Sequence, residues 1–140
     1  MPDHFLDTNV LLYAISDDPA ESAKRERAAA LLEDDRGAMS VQVLQEFYVQ
    51  STRATRPGRL THDLALAFIH RWTRFPIQAM TLDLLASALA VRSATGFSYR
   101  DSAIIAAARA QGCRTLYTED MAHGREIDGL VIVNPFRGGA

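Results

Sequence analysis

Two acidic residues come at the ends of predicted β-strands in this chain of 140 residues, and they are the first candidates for chemistry. Asp7 ends the first strand, and Asp120 comes shortly after the fourth. In parallel α/β sheets, active sites form beyond the carboxyl ends of the strands, near a reversal of strand order. Aspartate is also a common capping and turn residue, so each of the two also has an ordinary structural interpretation.

Two further acids lie on predicted helices. Asp101 is in the first turn of its helix, where the helix dipole favours an acid and where Ser98 can cap. It shares a face with Ile104 and Ile105, so its carboxylate points inward and must find a cation or hydrogen-bond donors. Glu46 lies in mid-helix on the flank of an apolar face, and its spacing alone favours a solvated glutamate.

Taken together, these four acids favour metal chemistry. Carboxylates that converge on one crevice repel one another, which raises the pKa of some of them, and a divalent cation removes that penalty. Hard oxygen ligands without a Cys or His cluster favour Mg²⁺ or Mn²⁺ over Zn²⁺. The natural substrate of a carboxylate-held Mg²⁺ is a phosphate ester, because the metal neutralises developing charge and activates water.

Short apolar segments that alternate with longer helical ones must position these acids. The alternation predicts one α/β domain over residues 1–140, with a parallel sheet covered on both faces and a loose tail at 138–140. A helix capped by Thr61 carries an apolar stripe at Leu64, Phe68 and Trp72, which we interpret as core. The predicted strands are 4–7, 38–40, 77–80, 114–118 and 130–133, and the other predicted helices are 9–15, 20–33, 41–53, 82–93 and 98–111.

The composition excludes two classes of protein. With 48% hydrophobic and 23% charged residues, the chain is globular rather than disordered. Its longest apolar runs have six residues, whereas a membrane helix needs about twenty, and no signal-peptide pattern is present. The single cysteine, Cys113, excludes an internal disulfide and suits a reducing cytoplasm.

The four acids lie in four short segments, which are DTNVLLY at 7–13, SVQVLQEFY at 40–48, YRDSAIIAAA at 99–108 and LYTED at 116–120. In order and spacing, these segments resemble the acidic motifs of PIN-domain ribonucleases. The first and third are specific as a pair, whereas the second is weak in isolation. Within the family, the likeness is closest to the VapC-type toxins of toxin–antitoxin systems.

The resemblance implies a three-layer α/β/α PIN-like domain, whose mainly parallel five-stranded sheet has the order 3-2-1-4-5. The first and fourth strands are then neighbours, which brings Asp7 and Asp120 together. It also implies a cytoplasmic homodimer with an RNA substrate and a cognate VapB-type antitoxin, whose tail would cover the acidic crevice.

The resemblance further implies a metal-dependent endoribonuclease. One or two Mg²⁺ or Mn²⁺ ions would be held there, and water would attack an RNA phosphodiester in line with the leaving oxygen, without a covalent enzyme intermediate. Glu119 stays open as a substitute for Asp120, which matches the family's Thr-x-Asp pattern. The implied ligands are Asp7, Glu46, Asp101 and Asp120, and the implied orienting residues are Thr8, Asn9 and Thr118.

The formal charge of −2 does not exclude an RNA partner. Fourteen of the fifteen cations are arginine, which binds phosphate oxygens bidentately and stacks on unpaired bases. Four of the seventeen acids are assigned to the metal crevice, and setting them aside changes the charge of the remainder to +2. The candidates for RNA contact are Arg53, Arg56, Arg59, Arg71, Arg74 and Arg100.

Other classes of protein share parts of this pattern. A HAD-type phosphatase normally has a second acid two residues after the first, where this chain has Asn9. A receiver domain needs a lysine at a late strand end, but the only lysine, Lys24, lies in an early helix. A PIN nuclease of RNA maturation and a non-catalytic RNA-binding PIN scaffold both stay open.

Overall fold

A computed structural model describes residues 1–137, so the tail predicted at 138–140 lies outside the described residues. The strands are β1 (His4–Leu6), β2 (Gly37–Ser40), β3 (Ile77–Gln78), β4 (Thr115–Tyr117), β5 (Glu126–Ile127) and β6 (Leu130–Val133). The α-helices are α1 (Thr8–Ala14), α2 (Ser22–Glu33), α3 (Val41–Ser51), α4 (His62–Trp72), α5 (Leu82–Thr95) and α6 (Tyr99–Ala110), and a 3₁₀ turn at Pro19–Glu21 precedes α2. None of the helices in this part of the chain is long and apolar enough to cross a membrane.

The strands form one sheet in the order β3-β2-β1-β4-β6-β5. β1 lies at its centre, parallel to both β2 and β4, and this confirms the α/β class and the order predicted for the five expected strands. All residues of β1 and β2 are buried, although successive side chains point to opposite faces. Both faces of the sheet are therefore covered, as expected for parallel strands.

The sixth strand is a difference from the prediction. β5 has two residues and pairs antiparallel with β6 through a turn at Asp128 and Gly129. Both turn residues have positive φ angles, of 49° and 89°. An Asp-Gly pair between two apolar residues is a strong hairpin signal, so this strand was readable from the sequence and was missed because it is so short.

The apolar stripe predicted on α4 is wrong at one position. Trp72 is buried and its ring lies edge-on to that of Phe47, with centroids 4.7 Å apart. Leu64, however, is 53% exposed, whereas its neighbour Ala65 is fully buried. The buried face of α4 thus runs through Ala65, Phe68 and Trp72, at helical spacings of three and seven, and Leu64 lies about 100° away from it.

We expect His4 to make the fold sensitive to acid. Burial lowers the pKa of its imidazole, and Nε2 has no hydrogen-bond partner among residues 1–137. The unfolded chain therefore binds more protons than the native state, and stability falls as the pH drops below about 6.5, the ordinary pKa of histidine.

Urea unfolding at pH 7.5 and 5.5 tests this expectation. The wild type should lose more free energy of unfolding between the two pH values than the His4→Phe variant, in which this titration is absent. His70→Phe is the matched control, because His70 is exposed, and it should behave as the wild type does. Equal losses in the wild type and His4→Phe would show that His4 does not contribute.

Candidate functional site

Asp7 combines the two interpretations that the sequence left open. It follows β1 and caps α1, and its Oδ1 accepts a hydrogen bond of 2.7 Å from the backbone N–H of Thr8. Its side chain is nevertheless fully buried, and Oδ2 accepts a second hydrogen bond of 2.8 Å from the hydroxyl of Thr118, just beyond β4. The carboxylate is thus fixed between the carboxyl ends of two neighbouring strands.

The guanidinium of Arg100 lies among three of the four predicted acids. Nη1 and Nη2 donate to the two oxygens of Asp7 over 3.0 and 2.7 Å, which is a bidentate pair. Nε and Nη2 donate to Oε2 and Oε1 of Glu46 over 3.0 and 2.6 Å, and Nη1 lies 3.2 Å from Oδ1 of Asp101. Arg100 was expected as a candidate for RNA contact, but here it is the counter-ion of the acidic crevice.

The helical spacing of Glu46 predicts a solvated side chain, but in the structure this side chain does not point into solvent. Its side chain is 25% exposed, and Oε1 accepts a hydrogen bond of 2.7 Å from the hydroxyl of Thr8. Burial by itself raises the pKa of Glu46, but the hydrogen bonds from Arg100 and Thr8 outweigh it and lower the pKa. The prediction of a solvated glutamate is wrong because α3 packs against α1, so this flank of α3 faces the crevice.

The two acids after β4 point to different partners. The amide nitrogen of Asn9 donates to Oδ2 of Asp120 over 3.0 Å and to the hydroxyl of Thr118 over 3.2 Å. Glu119 instead accepts hydrogen bonds from the Tyr13 hydroxyl over 2.6 Å and from Nζ of Lys24 over 2.7 Å. The structure therefore brings Asp120 into the crevice and holds Glu119 outside it.

The crevice has a volume of about 210 Å³ and opens to solvent. Two of its lining residues, Leu12 and Gln50, were not predicted from the sequence as part of the site. Gln50 was predictable, because it follows Glu46 by one helical turn and so lies on the same face of α3. The lining residues are Thr8, Asn9, Leu12, Gln50, Arg100, Asp101 and Asp120.

The donor chemistry of this crevice suits a hard divalent cation. Two acids line the cavity, Asp101 of α6 and Asp120 after β4, and neither Cys nor His lines it. Asp7 and Glu46 adjoin it through their contacts with Arg100, and all four offer carboxylate oxygens. As the side chains stand, no three His, Cys, Asp or Glu residues within 1–137 are arranged to hold an ion. Three of the carboxylates, those of Asp7, Glu46 and Asp101, are instead arranged around the Arg100 guanidinium.

Of the other arginines, Arg53 is best placed near the crevice, because it shares a surface depression with Glu46 and Gln50. Arg74 has a structural role, since its guanidinium donates to the backbone oxygen of Leu32 over 2.8 Å. It also lies 4.3 Å from the centre of the Phe75 ring.

Comparison with solved structures shows several similar folds at low sequence identity. A toxin–antitoxin complex from Klebsiella pneumoniae is 20% identical with a TM-score of 0.70, over 95% of this chain and 98% of that one. VapC20 of Mycobacterium tuberculosis, a toxin that cleaves the sarcin–ricin loop, is 23% identical with a TM-score of 0.63, over 84% and 90%. DNA-bound VapBC from Salmonella typhimurium is 20% identical with a TM-score of 0.66, over 94% and 97%.

Sequence comparisons give a more definite assignment. No curated protein gave a significant match to the chain. The model of the PIN domain family, however, matches residues 4–125, a range that includes all four acids and the strands that position them. The chain therefore belongs to the PIN domain family.

Proposed function

We propose that this protein is a metal-dependent endoribonuclease that hydrolyses RNA phosphodiester bonds. The observation that carries the proposal is the convergence of four carboxylates on one crevice at the carboxyl ends of β1 and β4. Asp7, Glu46 and Asp101 contact one cationic group there, and Asp120 lines the same cavity. Carboxylates gathered at a strand-order reversal are a natural site for a phosphate-bound divalent ion.

The four carboxylates would hold one or two Mg²⁺ or Mn²⁺ ions. When bound, such an ion neutralises charge on the phosphate and activates water. Thr118 orients the site, since its hydroxyl donates to Asp7 and accepts from Asn9 and from the backbone N–H of Asp120. Thr8 and Asn9 act in the same way, by donating to Glu46 and Asp120.

We further propose that the protein is the toxin of a VapBC-type module and acts in the cytoplasm by inhibiting translation. The similar folds in toxin–antitoxin complexes support a VapB-type antitoxin as the partner. A homodimer is supported by an exposed apolar row on α5, where Leu82, Leu85 and Leu89 are 80%, 36% and 49% exposed. A PIN nuclease of RNA maturation is the alternative, and a non-catalytic scaffold is disfavoured because all four acids are present.

We expect the Asp7→Asn and Asp101→Asn variants to lose about 100-fold or more of the metal-dependent RNA cleavage. Even outer partners of metal ligands cost roughly 10–100-fold when they are removed, and these acids are proposed as ligands themselves. Glu119→Gln is the matched control, because Glu119 points to Lys24 rather than into the crevice, and it should cleave at the wild-type rate.

Cleavage of total RNA with Mg²⁺ measures these rates, with circular dichroism to show that each variant is folded. Full activity in a folded Asp7→Asn or Asp101→Asn variant would disprove the proposal. Mapping the cut sites after brief expression, beside the Asp7→Asn control, distinguishes a VapC-type toxin from a nuclease of RNA maturation. A toxin should cut RNA of the translation machinery or messages, whereas a maturation enzyme should cut precursor ends.

We expect Arg53 to contribute one phosphate contact to RNA binding. For single-stranded RNA, log K falls with log salt concentration, and each contact makes that slope more negative by about 0.7. Arg53→Gln should therefore make the slope less negative by about 0.7. RNA affinity is measured by fluorescence anisotropy with EDTA in the Asp7→Asn background, in which we expect cleavage to be strongly reduced. Arg109→Gln, on α6 and paired with Asp128, is the control. An unchanged slope in Arg53→Gln would exclude this contact.

A further inference from the structure

We propose that Arg100 competes with the divalent cation for the acidic crevice and occupies its carboxylate oxygens in the metal-free protein. This inference rests on the proposed function only in taking Mg²⁺ or Mn²⁺ as the ion. It concerns the regulation of the site rather than the cleavage reaction. Its basis is the position of the guanidinium, which contacts Asp7, Glu46 and Asp101 at the same time.

The guanidinium and a metal ion would use the same oxygens. Arg100 donates to both oxygens of Asp7, to both oxygens of Glu46 and to Oδ1 of Asp101, at distances of 2.6 to 3.2 Å. Mg²⁺ requires its oxygen ligands at about 2.0–2.1 Å in near-octahedral order. Carboxylates arranged around a planar guanidinium cannot also close around such an ion, so the two forms of occupancy exclude each other.

Arg100 is the member of this cluster that can leave. Its side chain is 32% exposed, whereas that of Asp7 is fully buried and is held by Thr8 and Thr118. Arg100 is the second residue of α6, and the backbone there is held by the Ser98 cap. Rotation of the long side chain alone can therefore carry the guanidinium to the mouth of the crevice, without a change in the fold.

The exchange has a clear electrostatic reason. A buried carboxylate such as Asp7 is tolerated only with charge or hydrogen-bond partners, and Arg100 supplies the charge within the chain itself. A metal ion must therefore replace an existing cation rather than fill an uncompensated acidic site. The apparent metal affinity equals the intrinsic affinity multiplied by the fraction of molecules in which Arg100 is already displaced, so it is low when that fraction is small. The protein is thus latent at low concentrations of the metal.

Calorimetric titration with Mn²⁺ tests this competition without any measurement of cleavage. We expect Arg100→Gln to bind Mn²⁺ about fivefold more tightly than the wild type, the upper end of the range for a partly exposed ion pair. We also expect Mn²⁺ to raise the melting temperature more in Arg100→Gln, because that variant lacks the internal cation when EDTA is present. Arg109→Gln removes an arginine of the same helix outside the crevice, and it should match the wild type in both measurements.

Equal or weaker Mn²⁺ binding by Arg100→Gln would overturn the proposal, as would the absence of binding in both proteins. If Arg100→Gln does not fold in EDTA, Arg100→Lys replaces it, since lysine keeps the charge but lacks the planar fork. That variant should bind Mn²⁺ more tightly than the wild type, and equal or weaker binding would again overturn the proposal. If the wild type does not cleave RNA, this result contradicts the proposed function only, because the competition is measured by metal binding.

Discussion

The buried charge of Asp7 is the constraint on which the rest of this site depends. A carboxylate that is fully removed from solvent costs several kcal/mol unless hydrogen bonds and an opposite charge compensate for it. Here the compensation comes from α1, from the segment after β4 and from α6, through Thr8, Thr118 and Arg100. Because β1 lies between β2 and β4, each of these elements reaches Asp7 over a short distance. The strand order of the sheet therefore also determines which groups compensate the charge of Asp7.

The fold places the carboxylates of Glu119 and Asp120 in different environments, although the two residues are adjacent in the sequence. The carboxylate of Glu119 is bound by Lys24, the only lysine of the chain, and by Tyr13. Its hydrogen bonds raise the pKa of Lys24, and the ion pair lies outside the crevice. The side chain of Asn9 binds both acidic residues, since its Oδ1 accepts from the backbone N–H of Glu119 while its Nδ2 donates to the carboxylate of Asp120. One asparagine side chain thus directs two successive acids to different sides.

Much of this arrangement could be predicted from the sequence. The alternation of strands and helices indicated the class of the fold, and the resemblance to PIN domains added the order of five strands. Asp7 and Asp120 were expected together because they follow strands that the order makes neighbours. The class of the fold could be predicted because strand ends, helix caps and the alternation of apolar segments are local features, whereas the strand order came only from the resemblance.

The features that could not be predicted depend on contacts between distant segments. The direction of Glu46 is set by the packing of α3 against α1, which helical periodicity does not contain. Leu64 was assigned to the core because one position along a helix, about 100° of rotation, decides which face is buried. The position of the Arg100 guanidinium depends on the rotamer of a long side chain, and three carboxylates from three elements stabilise that rotamer. The acids that require a cation are recognisable in the sequence, whereas the cation that the chain itself supplies is not.

The most direct test of the central claim, that these carboxylates form a divalent-cation site, is a crystal structure of the protein soaked in Mn²⁺, with anomalous diffraction to locate the metal. The claim predicts an anomalous peak within coordination distance of Asp7 and Asp101, with the guanidinium of Arg100 displaced toward the mouth of the crevice. A map at saturating Mn²⁺ without a peak among the four acids, and with Arg100 still bound to Asp7 and Glu46, would contradict it.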